Sequence, residues 1–149
     1  MPRQVRVHRI IAARIEQVWE ELSDIGSHAE WMAEAERITF VGSQRSGEGT
    51  RITVPTRVGP FRTVDEIVFT AWEPPHRMAV RHSGLVTGEG EFTLSALDDA
   101  TTRMEWDETL RLPLRFGGRA GERVAAPLLA AIWRRNLRTF AGRLGATSR

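Results

Sequence analysis

The stretch PLLAAIWRRNLRTFAGRL, residues 127–144, has one apolar side when wound as a helix. Leu129, Trp133, Leu137, Phe140 and Leu144 step by 4, 4, 3 and 4, which draws a single stripe down a helical surface. Arg134, Arg135 and Arg138 project from the other side. The pattern predicts a long helix from about Arg119 to Leu144. Pro127 falls inside it and should either kink it or mark its first turn.

Everything between Ile38 and Leu112 has a different texture. Short apolar runs are punctuated by turn residues: Gly47-Glu48-Gly49, Gly59-Pro60, Pro74-Pro75-His76, Ser83-Gly84 and Asp98-Asp99. That spacing predicts consecutive antiparallel hairpins, about six strands. Pro113 and Gly117-Gly118 stop the last one. Upstream, Val5 and Val7 alternate with Arg6 and His8 as in a half-buried strand over residues 4–12. Ile15, Val18, Trp19 and Leu22 then form a short helical stripe. Ser27 and Glu30 have the spacing of a capping box, which predicts a second short helix carrying Trp31 and Met32.

The order is strand, two short helices, six strands, long helix: an α+β chain with a curved antiparallel sheet of about seven strands. A single helix rarely fills a wide concave sheet, so a cavity between them is the physical expectation. At 149 residues, one domain over 1–149 is expected. A hydrophobic fraction of 41% with 27% charged residues is that of a globular protein. No run approaches the roughly 18 apolar residues of a membrane span, so no integral membrane association is expected. Met1–Val7 lacks the apolar run of a secretory signal, which makes the cytoplasm the default. Without Cys there are no disulfides, thiolate nucleophiles or Cys-based zinc sites.

All 21 basic residues are Arg, and they are unevenly placed. Residues 1–110 hold 12 Arg against 18 acids; residues 111–149 hold 9 Arg against Glu122 alone. The C-terminal segment is therefore strongly basic. Arg134, Arg135, Arg138 and Arg143 could meet an anionic surface or an acidic partner, or form a solvated face balancing an acidic body. No aromatic residues interleave with the exposed Arg, so no nucleic-acid partner is expected.

Several motifs now carry a resemblance. Ile11-Ala12-Ala13-Arg14-Ile15-Glu16-Gln17-Val18-Trp19 is similar to the opening of the START-related, SRPBCC or polyketide cyclase/dehydrase superfamily. Leu22-Ser23-Asp24, Trp31-Met32, Gly47-x-Gly49-Thr50, Trp72-Glu73-Pro74-Pro75 and the segment Trp106–Pro113 continue it across nearly the whole chain. Arg14 departs from the Pro usual in that turn. The resemblance implies the helix-grip fold and a pocket for a lipid-like or polycyclic molecule. It does not imply a reaction, because the superfamily includes carriers, receptors, cyclases and co-chaperones.

Alternation assigns candidate pocket residues. Met104, Trp106, Glu108, Leu110 and Leu112 share a predominantly apolar side of the last strand, which should face inward. A carboxylate among such neighbours is costly unless paired. Glu108 is thus either a pocket acid that binds or moves a proton on the ligand, or half of a structural ion pair. Arg9 shares a face with Val5, Val7 and Ile11, and is either the partner of Glu108 or a snorkelling rim residue. His82 shares a face with Met78 and Val80 and is either a general base or structural. Glu66 alternates with Val64 and Val68; either these face inward, or Ile67 and Phe69 do. The expected walls are Val64, Val80, His82, Trp106, Glu108, Leu110, Leu129, Trp133 and Leu137. His8 and His82 lack ligand spacing, so no metal is expected, and no cofactor is called for. Three functions follow: binding or carriage of a hydrophobic small molecule; an enzyme resembling aromatase/cyclases, with Glu108 or His82 moving protons; or an adaptor acting through the basic helix. Neither the ligand nor the oligomeric state is legible.

Overall fold

The computed structural model describes residues 3–84 and 87–147; the side chains of residues 3, 110, 146 and 147 lie outside that description, and with them the expected pocket contact of Leu110. The elements are β1 (Arg3–Ile11), α1 (Ile15–Ser23), a 3₁₀ helix (Ile25–Glu30), β2 (Thr39–Phe40), β3 (Arg51–Val58), β4 (Phe61–Glu73), β5 (Arg77–Ser83), β6 (Gly88–Asp98), β7 (Thr101–Leu110), a 3₁₀ turn (Leu114–Phe116) and α2 (Gly118–Thr147). The strands form one antiparallel sheet in the order β1-β7-β6-β5-β4-β3-β2. The chain has the α+β helix-grip architecture.

Strands β2 to β7 each pair with their sequence neighbours. β1 instead crosses the molecule to pair with β7, in register from Arg3↔Leu110 to Ile11↔Thr102. Alternation along each strand then sorts the side chains. Val5, Val7 and Ile11 of β1, Met104 and Trp106 of β7, Phe92 and Leu94 of β6 and Met78 of β5 are all buried on the concave face. On β4 the inward set is Asp65, Ile67 and Phe69. A register shift between Phe69 and Ala71 then changes the parity and turns Trp72 inward, against Trp19 and Phe69. Extra residues at such a bulge reverse which positions face the core.

Across the concave face lies α2, which approaches the sheet backbone most closely at β1. Its stripe is buried as the heptad-like spacing requires: Trp133, Leu137, Phe140 and Leu144 belong to the core. The helix runs unbroken through Pro127. Glu122 anchors its first half: the residue is buried, and its carboxylate accepts the Leu112 backbone N–H at 3.3 Å. No helix of the described residues is long and apolar enough to cross a membrane.

The capping-box expectation is corrected. The second helical segment is a six-residue 3₁₀ helix that starts at Ile25, before Ser27, and ends before Trp31 and Met32. The Ser27 hydroxyl donates backwards to the Asp24 carbonyl at 2.7 Å, and Glu30 turns outward to Arg143 at 3.3 Å. The tertiary ion pair takes the carboxylate that a cap would have used.

Candidate functional site

A cavity of about 170 Å³ lies between the sheet, the segment 28–38 and α2. Its walls are largely apolar: Ile52, Val54, Ile67, Phe69 and Val80 from the sheet, Met32 and Ile38 from the crossing segment, and Leu129 from α2. At its base the Trp133 ring of α2 stacks on Trp106 of β7, with centroids 5.0 Å apart and planes at 22°. Trp31, Phe92 and Phe140 surround that pair with edge and tilted contacts. Two stacked indoles are wide. They hold the helix off the sheet, and the space beyond them stays open.

Five titratable side chains among the described residues enter this apolar space: Glu108, His82 and Asp65 from three strands, His28 from the 3₁₀ segment and Glu34 from the loop after it. Glu108 of β7 accepts the Trp106 Nε1–H at 3.1 Å on one oxygen. Its other oxygen lies 3.4 Å from His82 Nε2 of β5. The two residues meet diagonally across β6: Gly90 lies opposite Glu108 in register, and Gly88, two positions back on β6, lies opposite His82. A Cβ at Gly90 would lie 2.8 Å from Glu108 Oε1 and 3.0 Å from its Cγ, so the missing side chain makes the room in which the carboxylate lies. Asp65 of β4 takes the Thr56 hydroxyl at 2.8 Å on Oδ2. Its Oδ1 is buried with no hydrogen-bond partner among the described residues. Burial pushes the Asp65 carboxyl above its ordinary range; the nearby Glu108 charge adds to this, while the Thr56 bond and His82 oppose it.

Glu34 enters from the segment after the 3₁₀ helix. That segment runs along β3: Ala35 bridges Thr56, and the Glu34 carbonyl accepts the Arg57 N–H at 2.8 Å. Asn136 of α2, 1% exposed, fixes it from the other side. Its Oδ1 accepts the Ala33 N–H at 3.0 Å, so its Nδ2 faces Glu34, donating at 2.9 and 3.0 Å to the two oxygens. Burial nonetheless wins and holds the Glu34 carboxyl at about 7, raised a little further by Glu108. His28 also lines the cavity. Its Nε2 lies 2.7 Å from the Leu22 carbonyl, so that nitrogen carries the proton. Burial holds the His28 ring below its usual range and keeps it neutral.

Val80, His82, Trp106, Glu108, Leu129 and Trp133 all line the cavity. Arg9, Val64 and Leu137 do not. Arg9 shares the inward face, but it pairs with Met104 in register, four positions along the strand from the Val5↔Glu108 pair. It therefore cannot reach Glu108, and its Nε is buried without a hydrogen-bond partner. Val64 is 57% exposed, because Asp65, Ile67 and Phe69 hold the inward phase of β4; Glu66 is exposed with it. Leu137 is wholly buried in the core beside the cavity rather than in its wall. Glu34 and Asp65 escaped the sequence reading. Asp65 stands at the one phase of β4 that alternation left open, and Gly84 and Gly90, facing the two inward carboxylates, are the signal that could have found it. Glu34 has no such signal, since its place depends on Asn136, 102 positions away.

The sequence matches, over residues 2–148, a family described as polyketide cyclase / dehydrase and lipid transport. No curated protein matches it. Among solved structures, Zhui aromatase/cyclase from Streptomyces sp. R1128 superposes with a TM-score of 0.76 at 20% identity, covering 100% of this chain and 97% of that one. TTHA0849 from Thermus thermophilus gives 0.80 at 20% identity, covering 99% and 100%. A START superfamily protein from Mycobacterium smegmatis gives 0.78 at 15%, covering 97% and 98%. At these identities the likeness is one of fold. The family match, which leaves out only the first and last residues of a chain with this element order and cavity, means that the chain belongs to the polyketide cyclase/dehydrase and lipid transport family.

Proposed function

We propose that this protein binds a small hydrophobic or amphipathic molecule in the cavity between its sheet and α2. The carrying observation is an apolar cavity of about 170 Å³ with polar groups confined to a few positions, the usual make-up of a small-molecule site. The volume favours a compact guest: an engineered apolar cavity of about 150 Å³ takes up benzene. A single ring with a short substituent fits that size better than a four-ring skeleton or a two-chain lipid. Native mass spectrometry of freshly purified protein, followed by titration with single-ring apolar probes, tests the reading. A retained or titratable one-to-one complex supports it. Failure to take up any such probe at millimolar concentration counts against it.

The His82–Glu108 contact favours a second reading, acid–base catalysis on the bound molecule. In a cyclisation of aldol type, a base takes a proton from the carbon beside a carbonyl. That carbon bonds to a second carbonyl carbon, whose oxygen takes up a proton; loss of a further proton and the hydroxyl as water completes dehydration. Glu108 or His82 would serve as the base, and the Glu34 carboxyl, held at about 7, has the poise of a general acid. Glu108→Gln separates the two readings. Loss of product with ligand affinity retained marks a catalytic residue; joint loss of both, or no turnover in the parent protein, marks a binding group.

A further inference from the structure

The chemistry of the guest is constrained by what the cavity lacks. Glu34, Asp65 and Glu108 bring three carboxylates to it, and no Arg stands among the described lining residues, although the chain carries 21 basic residues. Asn136 donates to Glu34 twice, the Trp106 indole donates to Glu108 and Thr56 donates to Asp65, all as neutral groups. His82 adds its contact with Glu108. Asp65 Oδ1 accepts nothing among the described residues and is packed against Gly84, whose missing Cβ would lie 2.1 Å from it. Among the described lining residues three carboxylates stand against His28 and His82, with no Arg, so carboxylates outnumber cationic side chains. Nor do these acids converge as a metal cage: among the described residues, no group of three His, Asp or Glu is placed to hold an ion.

We propose that the cavity selects a single-ring organic amine, bound as its ammonium ion, with the ring against the apolar wall and the ammonium turned to Asp65 and Glu108. This rests on the cavity-binding reading above and adds the charge class of the guest. An ammonium supplies three donors and one positive charge, and a site with three carboxylates and no Arg among its described lining residues has acceptors for them. A carboxylate or phosphate head would face like charges in a space of low dielectric and is rejected. A neutral hydroxyl could donate to Asp65 but would leave the charge unbalanced. Burial is the main reason the Glu34 and Asp65 carboxyls are displaced upward; Glu108 adds a smaller push in both cases, and His82 opposes it at Asp65, so a cation seated beside them would relieve both.

The test is calorimetric titration of the full chain near neutral pH with four probes of similar shape: phenethylamine, phenethyl alcohol, phenylacetate and ethylbenzene. Phenethylamine should bind about tenfold or more tighter than ethylbenzene, since a charge-assisted hydrogen bond is worth about that much. Phenethyl alcohol should fall between them, and phenylacetate should be weakest. In Asp65→Asn and Glu108→Gln the amine advantage should shrink several-fold while ethylbenzene affinity is kept, which also certifies that the variants are folded. Equal or tighter binding of phenylacetate overturns the proposal, as does an amine advantage that survives both substitutions. If ethylbenzene binds and the amine gains nothing, only the charge inference falls. If no probe binds the parent protein, the cavity reading falls and takes this one with it.

Discussion

The Glu34 charge is costly to the fold: the carboxyl, normally near 4.5, is held at about 7 by burial. The folded state therefore keeps the proton more readily than the unfolded chain. The stabilisation is complete below about 4.5 and is lost as pH rises to about 7, on the order of 3 kcal/mol in all at 1.36 kcal/mol per pKa unit. Glu34→Gln keeps an amide oxygen for Asn136 and removes the ionisation. Its stability relative to the parent protein should climb by about that amount across this window, measured by urea denaturation at several pH values. A pH-independent difference would refute the assignment. His28 acts in the opposite sense, because its buried ring resists protonation and folding weakens as pH falls below the ordinary His range; it is common to both proteins and cancels in the difference. Gly90 makes a second residue-scale prediction. Replacing a strand glycine by Ala usually helps by lowering unfolded-state entropy. Here the new Cβ would lie 2.8 Å from Glu108 Oε1, so Gly90→Ala should cost about 1–3 kcal/mol instead. A raised denaturation midpoint would mean that Glu108 has room to move.

Among the elements, α2 carries an interior proline and positions several of the site's side chains. Pro127 lies in its interior, where it supplies no N–H to the carbonyl one turn back, an arrangement that costs about 3 kcal/mol in an ordinary helix. Pro127→Ala should raise the chemical denaturation midpoint by the equivalent of about 1–3 kcal/mol. A lower midpoint would show that the proline ring is needed where it stands. The same helix presents Trp133, Asn136 and Leu129 within two turns, one to prop, one to hold Glu34 and one to line the cavity. Arg143 ties its last turns to Glu21 at 2.8 Å and Glu30 at 3.3 Å, while Arg134, Arg135 and Arg138 remain exposed. The basic end is thus partly a clamp onto the acidic body.

For the molecule as a whole, the size of the cavity sets what can enter. Leu129 is half-buried in its wall, on the helix side, and its truncation removes volume without opening the main core. Leu129→Ala should therefore shift preference towards two-ring probes, by about tenfold in the ratio of naphthalene to benzene affinity, a change of about 1.4 kcal/mol. An unchanged ratio would mean that the limit on size lies elsewhere, at the Trp106–Trp133 stack. The order of elements, the stripe of α2 and the inward phase of β5 and β7 were all legible in the sequence, because periods of 3.6 and 2 are written in neighbouring residues. Val80, His82, Trp106, Glu108, Leu129 and Trp133 could be picked out on that basis alone. The phase of β4 was not: Val64 and Asp65 both begin plausible alternations, and the register shift at Phe69/Ala71 lets Phe69 and Trp72 share a face that strict alternation forbids. Strand pairing decided that His82, and not Arg9, stands beside Glu108, since a register over about a hundred residues is fixed by packing rather than by local pattern. The same holds for Glu34, for the space under α2, and hence for the acid-rich cavity: each depends on how far apart side chains from distant segments come to rest, a quantity no stretch of chain contains by itself.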